Sequence, residues 1–481
     1  MIALSYVLRA ESPLLLTGLA GDANTKRSLD YIPGSAVRGA LIARYLEEER
    51  RTYLQPGHPA DDRLFLSPAT CYLAAYPLLE TRQGPRRGLP TPLSWRRNKA
   101  VTWEPGSPVY DLAVMAADDL DQSVQYMAPS GAPFCWQDPP LYFGAEGFES
   151  EDAASNVYFT APARQIRIHT ARARRPGRAT RAEGAVFHYD ALAEGERFAG
   201  VILAQDEGDA ERLHAWLAGG EFRVGGSQRA GYGAVVVEGE VTRQTVGASF
   251  DESGWSDWPG EIGLEPGDRL RLTALSPWLL RTPQGQPATQ LDRSLLAGLL
   301  GLEEEALQPV AEQTQRDTVA LGGYHRVWGL PLPQRIAIAA GSTFVFAVDT
   351  PVAADRLWQL HLRGLGAQRG DGLGRVAINW QVAEQLNWRA TEPRRAEESV
   401  AVLPPDPSET TALAREMAQR ILRHELDRAL AARIQALRLA PHSQISNSLL
   451  NRLRMSVRSA LTHLQQLAPG QVAQQSAQTL A

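Results

Sequence analysis

The chain has 481 residues and a formal net charge of −5, with 44% hydrophobic residues, so two or three soluble domains with sizeable cores are expected. Only Lys26 and Lys99 are lysines, which leaves 47 of the 49 basic residues as arginine. That bias fits a GC-rich genome, and it also fits phosphate recognition, where the guanidinium fork excels. The net charge does not exclude a polyanionic partner, because a basic patch can sit on an acidic protein.

The two cysteines, Cys71 and Cys135, lack metal-ligand spacing and imply a reducing compartment without a disulfide framework. The opening MIALSYVLRA has no basic segment followed by a long apolar run, so no signal peptide is expected. No apolar run is long enough to span a bilayer. A cytoplasmic protein with no membrane partner is the expectation.

In chain order, Leu4, Tyr6 and Leu8 alternate with Ser5, Val7 and Arg9 and predict a strand. After a turn-rich stretch, YIPGSAVRGALIARYLEEE over 31–49 predicts a helix from Ala36 capped by Ser35. Further on, an α/β unit occurs twice. GERFAGVIL (195–203) and GSTFVFAV (341–348) each read as turn then strand, and DAERLHAWL (209–217) and DRLWQLHL (355–362) as amphipathic helices. Each helix stops at a glycine, Gly219 or Gly364. A glycine-rich loop and a strand follow: GGSQRAGYG (225–233) and GLGAQRGDGLG (364–374).

The pairs Phe198/Phe344, Leu213/Leu357 and Gly233/Gly374 keep nearly constant separations, so two copies are expected. The second opens on the alternating strand LRLTAL (270–275). Strand, helix, strands, helix, strand is the ferredoxin-like, RRM-like pattern. The fold class expected is therefore α+β: two tandem domains with antiparallel sheets, plus a C-terminal helical segment. The divisions are a first domain with long insertions (1–245), a linker (246–264) and a second domain (265–390). A proline-rich linker (391–408), a helical segment (409–467) and a disordered tail (468–481) follow.

Both glycine loops occupy one place in the repeat and carry an arginine, Arg229 or Arg369. Glycine lets a backbone approach a phosphate and donate N–H groups to it, although glycine also serves plain turns. The candidates are Gly225, Gly226, Arg229, Gly231, Tyr232 and Gly233, with Arg369, Gly370, Gly372 and Gly374. They are not dinucleotide fingerprints, because here a helix precedes the glycines and a strand follows.

Two basic clusters stand out. Residues 164–181 hold seven arginines and no acid: Arg164, Arg167, Arg172, Arg174, Arg175, Arg178 and Arg181. Arg82, Arg86, Arg87, Arg96, Arg97 and Lys99 form the second, with Trp95 inside it. A solvated charge run is the bland alternative, but uncompensated like charges favour a polyanion. An interleaved aromatic suits single-stranded RNA.

Catalysis is not expected. His188–Tyr189 and Tyr324–His325 could supply acid and base on paper, and His169 has interesting neighbours, but spacing fixes no partner for any of them. No HExxH, paired-cysteine or P-loop signature occurs, and Asp190 and Asp371 show no metal pattern, so neither metal nor cofactor is expected.

Together these residues resemble the CRISPR-associated RAMP superfamily. The carriers are YIPGSAVRGAL, HTARARRPGRATRAEGAVFHYDALAEGERFAGVI from His169, and both glycine loops. AAYPLL followed by LPTPLSWRRNK, then GGYHRVWGLPLPQ, GAQRGDGLGRVAIN and SNSLLNRLRMSVR, are similar to the large RAMP subunits of type III-D CRISPR systems. The resemblance implies two RRM-like folds and a non-catalytic, guide-RNA-binding place in an antiviral ribonucleoprotein, capping the crRNA 5′ handle. It implies neighbouring RAMP backbone subunits and the large signalling subunit as partners. It extends the candidate RNA contacts to Ser35, Arg38, Tyr324, His325, Arg326 and His169. A metal-independent endoribonuclease that processes precursor guide RNA is the alternative, and a protein-only scaffold the second alternative.

Overall fold

The computed structural model describes residues 1–18, 25–82, 84–116, 121, 123–138, 156–170, 186–246, 263–282, 284–325, 329–381, 383–391, 409–436 and 446–466. The chain divides into two units, Met1–Arg394 and Arg395–Ala481.

The first unit contains two modules of one design. In the first module the strand β1 (Ile2–Ala10) turns Ile2, Leu4, Tyr6 and Leu8 to one face, as its alternation requires. Helix α1 (Gly34–Glu48) lays Val37, Leu41 and Tyr45 on that face, one helical turn apart. Strand β2 (Tyr76–Thr81), preceded on the same neighbour by Thr70–Tyr72, is followed after a long insertion by β3 (Arg197–Ala204). Helix α2 (Glu207–Ala218) and strand β4 (Ala234–Thr245) complete the module. Asp206 caps α2 by accepting from the Asp209 amide, and Gly219 ends it. The spatial order is β4–β1–β3–β2, all antiparallel.

The second module repeats it with β5 (Arg269–Ala274), α3 (Arg293–Leu300), β6 (Leu307–Pro309), β7 (Thr343–Val348), α4 (Ala354–Arg363) and β8 (Val376–Ile378). Its order, β6–β7–β5–β8, is the same and again antiparallel. The register repeats too: Leu8 faces Phe198 across β1–β3, and Leu272 faces Phe344 across β5–β7. The two helices of each module pack on one sheet face, giving two separate cores. The chain is thus a mixed α+β protein with antiparallel sheets.

One expectation for α1 is corrected. The helix begins at Gly34 with Pro33 as its N-cap, and no side chain, Ser35 included, caps it. A Cβ at Gly34 would stand 1.7 Å from the Tyr72 carbonyl oxygen, so the helix start is pressed onto the Thr70–Tyr72 strand.

The insertion of the first module builds two further sheets. One has seven strands in the order Leu89–Pro90, Phe134–Asp138, Asn156–Thr160, Gln385–Arg389, Pro108–Asp111, Trp95–Asn98 and Tyr126–Met127. Six of these strands come from the insertion, and Gln385–Arg389 comes from beyond the second module. The other sheet is a three-stranded arm: Arg164–Thr170 and Val186–Leu192 antiparallel, with Thr25–Arg27 parallel to the latter.

The second unit holds helices α5 (Glu409–Ala436) and α6 (Asn447–Gln466). Met417, Ile421, Leu450, Leu453 and Val457 are exposed on them. Among the described residues no helix is long and apolar enough to cross a membrane.

Candidate nucleic-acid interface

The two glycine loops are the same structure built twice. In the first, the Gly226 amide donates to Leu15 O at 2.9 Å, Val224 N to Gly233 O at 2.8 Å and Gly233 N to Pro13 O at 2.9 Å. In the second, Ala367 N donates to Leu279 O at 3.0 Å, Leu365 N to Gly374 O at 2.8 Å and Gly374 N to Pro277 O at 2.9 Å. Each contains one 3₁₀ turn (Gln228–Ala230, Arg369–Asp371) entered through a left-handed residue, Ser227 or Gln368. Each turn is left through a left-handed glycine, Gly231 or Gly372.

Their surroundings differ. The first loop exposes Arg229, Ala230 and Gly231, and Gly225 and Gly226 are exposed as well, while Gly233 is buried. The second loop is seated on the first module: a Cβ on Gly372 would lie 2.3 Å from Tyr72 O. Its Asp371 carboxylate pairs with Arg38 at 3.0 Å, and Arg38 also donates to Phe65 O at 3.2 Å. Burial pushes the Asp371 carboxyl up, against the opposing pull of Arg38 and Arg335. Arg369 turns back to Arg363 O at 3.3 Å. The expectation of a second exposed RNA-gripping loop is therefore corrected: Gly372 and Gly374 are buried, Gly370 and Arg369 half-buried, and Arg38 ties one module to the other.

The 82–99 cluster does not form one surface either. Trp95 is 0% exposed, donates Nε1–H to Asp111 at 2.8 Å and packs against Phe159 and Trp380, so it is core and not a platform for a base. Arg87 is buried over the Tyr76 ring at 4.8 Å. Arg96 donates to Leu93 O and to Gln315 Oε1, the latter at 3.1 Å, and burial lowers its pKa. Arg86 lies over Trp136 and Arg97 over Trp103, both pairs half-exposed, and Lys99 is exposed.

The arm brings the first loop its cations and rings. Neighbours across a strand pair share a face, and Arg167 faces Tyr189, His169 faces Phe187, and Lys26 faces Tyr189. His169 Nε2 and Tyr232 Oη are hydrogen-bonded at 2.7 Å. The His169 ring lies 4.5 Å from Tyr189 and stacks on Phe187 at 5.5 Å. Arg167 sits 5.9 Å from the Tyr232 ring and Lys26 5.7 Å from that of Tyr189. Ser227 of the loop donates to Tyr189 Oη at 3.2 Å. Burial raises the Tyr232 phenol pKa, with Arg167 opposing it. The outcome is a face of half-exposed Arg167, His169 and Phe187, with Lys26 at its edge, standing beside the exposed loop tip.

Three expectations change here. Tyr232 is 0% exposed and acts as the post that holds His169, not as a ligand contact. Arg164 is taken up by Asp30, by Asp190 at 2.8 Å and by Ser28 O at 2.8 Å, so it anchors the arm. His188 faces Ile168, on the side of the arm opposite Tyr189, and cannot work with that tyrosine. Arg172, Arg174, Arg175, Arg178, Arg181 and Arg326 lie outside the described residues, as do the side chains of Tyr324 and His325, whose backbone pairs with Leu330–Pro331. As interface residues the sequence reading missed Lys26, Phe187 and Ser227, and it considered Tyr189 only as an acid–base partner of His188. The alternation in QIRIHT and VFHYDAL was the available signal for the two aromatics.

The face of the first sheet away from the helices is not cationic. Arg9 pairs with Glu238 at 3.6 Å, and Arg197 with Glu238 at 2.9 Å and Glu80 at 2.8 Å. Among the described residues no cluster of His, Cys, Asp or Glu is arranged to hold a metal ion.

A folded repeat with a cationic, aromatic arm over a glycine loop is the kind of scaffold on which nucleic-acid-binding proteins are built. Residues 7–236, just under half of the chain, match the model of the RAMP superfamily. No curated protein matches the chain significantly. Among solved structures, a chain of the type III-B Cmr-beta complex bound to cognate target RNA and AMPPnP is 14% identical, over 72% of this chain and 86% of that one, with a TM-score of 0.35. A chain of the same complex bound to cognate target RNA is 13% identical over the same shares, also with a TM-score of 0.35. The apo state gives 11% identity over 49% of this chain and 96% of that one, with a TM-score of 0.26.

Proposed function

We propose that this chain is a non-catalytic, guide-RNA-binding subunit of a type III CRISPR effector ribonucleoprotein, III-D-like, that caps the crRNA 5′ handle. In this reading the two modules are tandem ferredoxin-like, RRM-like domains. Neighbouring RAMP subunits and the large signalling subunit are the protein partners, and the complex works in the cytoplasm in antiviral defence.

The observation that carries the reading is the arm seated on the first glycine loop. It sets Arg167, His169, Phe187 and Lys26 beside the exposed backbone of 229–231. Cations there can follow a phosphate chain while rings receive a base, and the loop backbone admits close approach. The RAMP match over residues 7–236 spans this whole site.

The test is the affinity of the purified chain for a guide with its native 5′ handle and for one with a scrambled handle. The native handle should bind tighter, and Arg167→Ala or His169→Ala should erode that margin. Equal binding of both guides sinks the handle assignment. A second reading, endoribonuclease, is favoured by the hydrogen-bonded His169–Tyr232 pair beneath Arg167. It is weaker because the Tyr232 hydroxyl is buried and hard to ionise. Precursor guide RNA should keep its length in the presence of the protein. Specific cleavage abolished by His169→Ala would install the nuclease reading instead.

A further inference from the structure

The group that holds His169 also fixes which of its ring nitrogens carries the proton. Nε2 lies 2.7 Å from the Tyr232 hydroxyl, and Tyr232 is 0% exposed. Among the described residues that hydroxyl has no other hydrogen-bond partner. If Nε2–H donated to it, the hydroxyl proton would be buried with nothing to accept it, a penalty that the opposite arrangement avoids. Burial also raises the phenol pKa, which keeps the proton on Tyr232. Tyr232 therefore donates to Nε2, and in the neutral imidazole the ring proton sits on Nδ1. Nδ1 meets no protein partner among the described residues and is not one of the buried unpartnered atoms, so it opens to solvent. An unrestrained histidine can present either a donor or an acceptor at that nitrogen. Here Tyr232 leaves only the donor.

We infer that His169 is a specificity-determining residue of this face: its Nδ1–H selects an unpaired base that carries a keto oxygen, uracil or guanine, over one that carries an amino group in the same place, cytosine or adenine. The inference rests on the RNA-binding reading above. Uracil O4 and guanine O6 accept a hydrogen bond, whereas the corresponding amino groups of cytosine and adenine would set N–H against N–H. Phe187 fixes the plane of the base. Its half-exposed ring is stacked on the imidazole at 5.5 Å, with 15° between the planes. A base that meets Nδ1–H in the imidazole plane is therefore parallel to Phe187 and can stack on it. Tyr232 is the positioning residue, because its hydroxyl withdraws the acceptor option from His169.

Two measurements on the full chain test this. The first is fluorescence anisotropy with RNA nonamers of uridine and of cytidine at one salt concentration. The unaltered protein should bind the uridine nonamer about three- to tenfold tighter, as one hydrogen bond supplies. Tyr232→Phe keeps the ring but frees Nε2, and should bring that ratio to within about twofold. The second is nitrogen NMR of the histidine-labelled protein, with the His169 signals assigned from His169→Gln. Nδ1 should give the protonated and Nε2 the unprotonated signal of the neutral ring. This spectrum decides the matter even if Tyr232→Phe does not fold. A protonated Nε2 in the neutral ring overturns the inference, and so does a nonamer ratio near one or a ratio that Tyr232→Phe leaves unchanged. In those cases the RNA-binding reading stands as long as both nonamers bind. Failure to bind either nonamer sinks that reading and this inference with it.

Discussion

Gly231 and Gly372 hold the same place in two copies of one loop, and their φ angles are nearly equal, +83° and +79°. Alanine at either position must adopt the left-handed region, at a cost of roughly 1–2 kcal/mol. Beyond that the two sites part company. Nothing lies within 4 Å of a Cβ at Gly231, whereas at Gly372 it would stand 2.3 Å from Tyr72 O and 2.8 Å from Leu73 Cα. Those are backbone atoms, so the loop itself must withdraw. Withdrawal strains the Arg38–Asp371 pair and the seam around it. Overpacking of this kind adds about 1–3 kcal/mol. Gly231→Ala should therefore lower the melting temperature by about 2–4 °C and Gly372→Ala by roughly twice that or more. Differential scanning fluorimetry with circular dichroism as a control reads both. Equal losses would refute the reasoning, because they would mean that the second loop does not rest on the Tyr72–Leu73 backbone.

Replacing Lys26 and Arg167 together by alanine should weaken RNA binding and flatten the log affinity–log salt slope by up to about 1.4, at about 0.7 per lost phosphate contact on a single strand. An unchanged slope in a salt titration means that neither cation meets phosphate. Trp95→Ala should cost about 3–5 kcal/mol in denaturant unfolding, as a core truncation does, while Lys99→Ala leaves stability unchanged. His361 is buried, its Nδ1–H donates to Val376 O at 2.8 Å, and burial, aided by Arg375, depresses its pKa to about 3. The unfolded chain then binds the proton first on acidification. Stability should be full above pH ~6.5 and fall by about 1.4 kcal/mol per unit below it, towards the folded pKa. In His361→Phe that part of the acid slope should vanish, as urea unfolding at pH 7, 6 and 5 would show.

The repeated module was legible in the sequence because its landmarks are local: Phe198 and Phe344 in strands, glycine stops after the helices, and loops with matching glycines. The interface was legible only in part. Reading 82–99 as one basic patch ignored the period of a strand, which sends Trp95 into the core and its neighbours elsewhere. Arg164 looked uncompensated because its partners stand far away in the chain: Asp190 comes from the antiparallel strand of the arm, and Asp30 follows the Thr25–Arg27 strand, whose parallel pairing no local pattern announces. Lys26 joins Tyr189 through the same pairing. The second loop's burial depends on how closely Gly34 and Gly372 approach one carbonyl, that of Tyr72, and such an approach leaves no periodic trace.

The strand Gln385–Arg389 lies in register between Asn156–Thr160 and Pro108–Asp111, filling the middle of a sheet otherwise made from the first module's insertion. During synthesis that sheet stays in two pieces, each with a bare edge, until the ribosome has passed the whole second module. Pairings that span so much chain close late. Until they close, the open edges are sites for mispairing with other nascent chains. The last few residues of the first unit are thus its fastener, and a fragment cut just short of Gln385 would carry both modules yet leave Trp103 without its stacking partner Trp388 and the insertion sheet split along its centre.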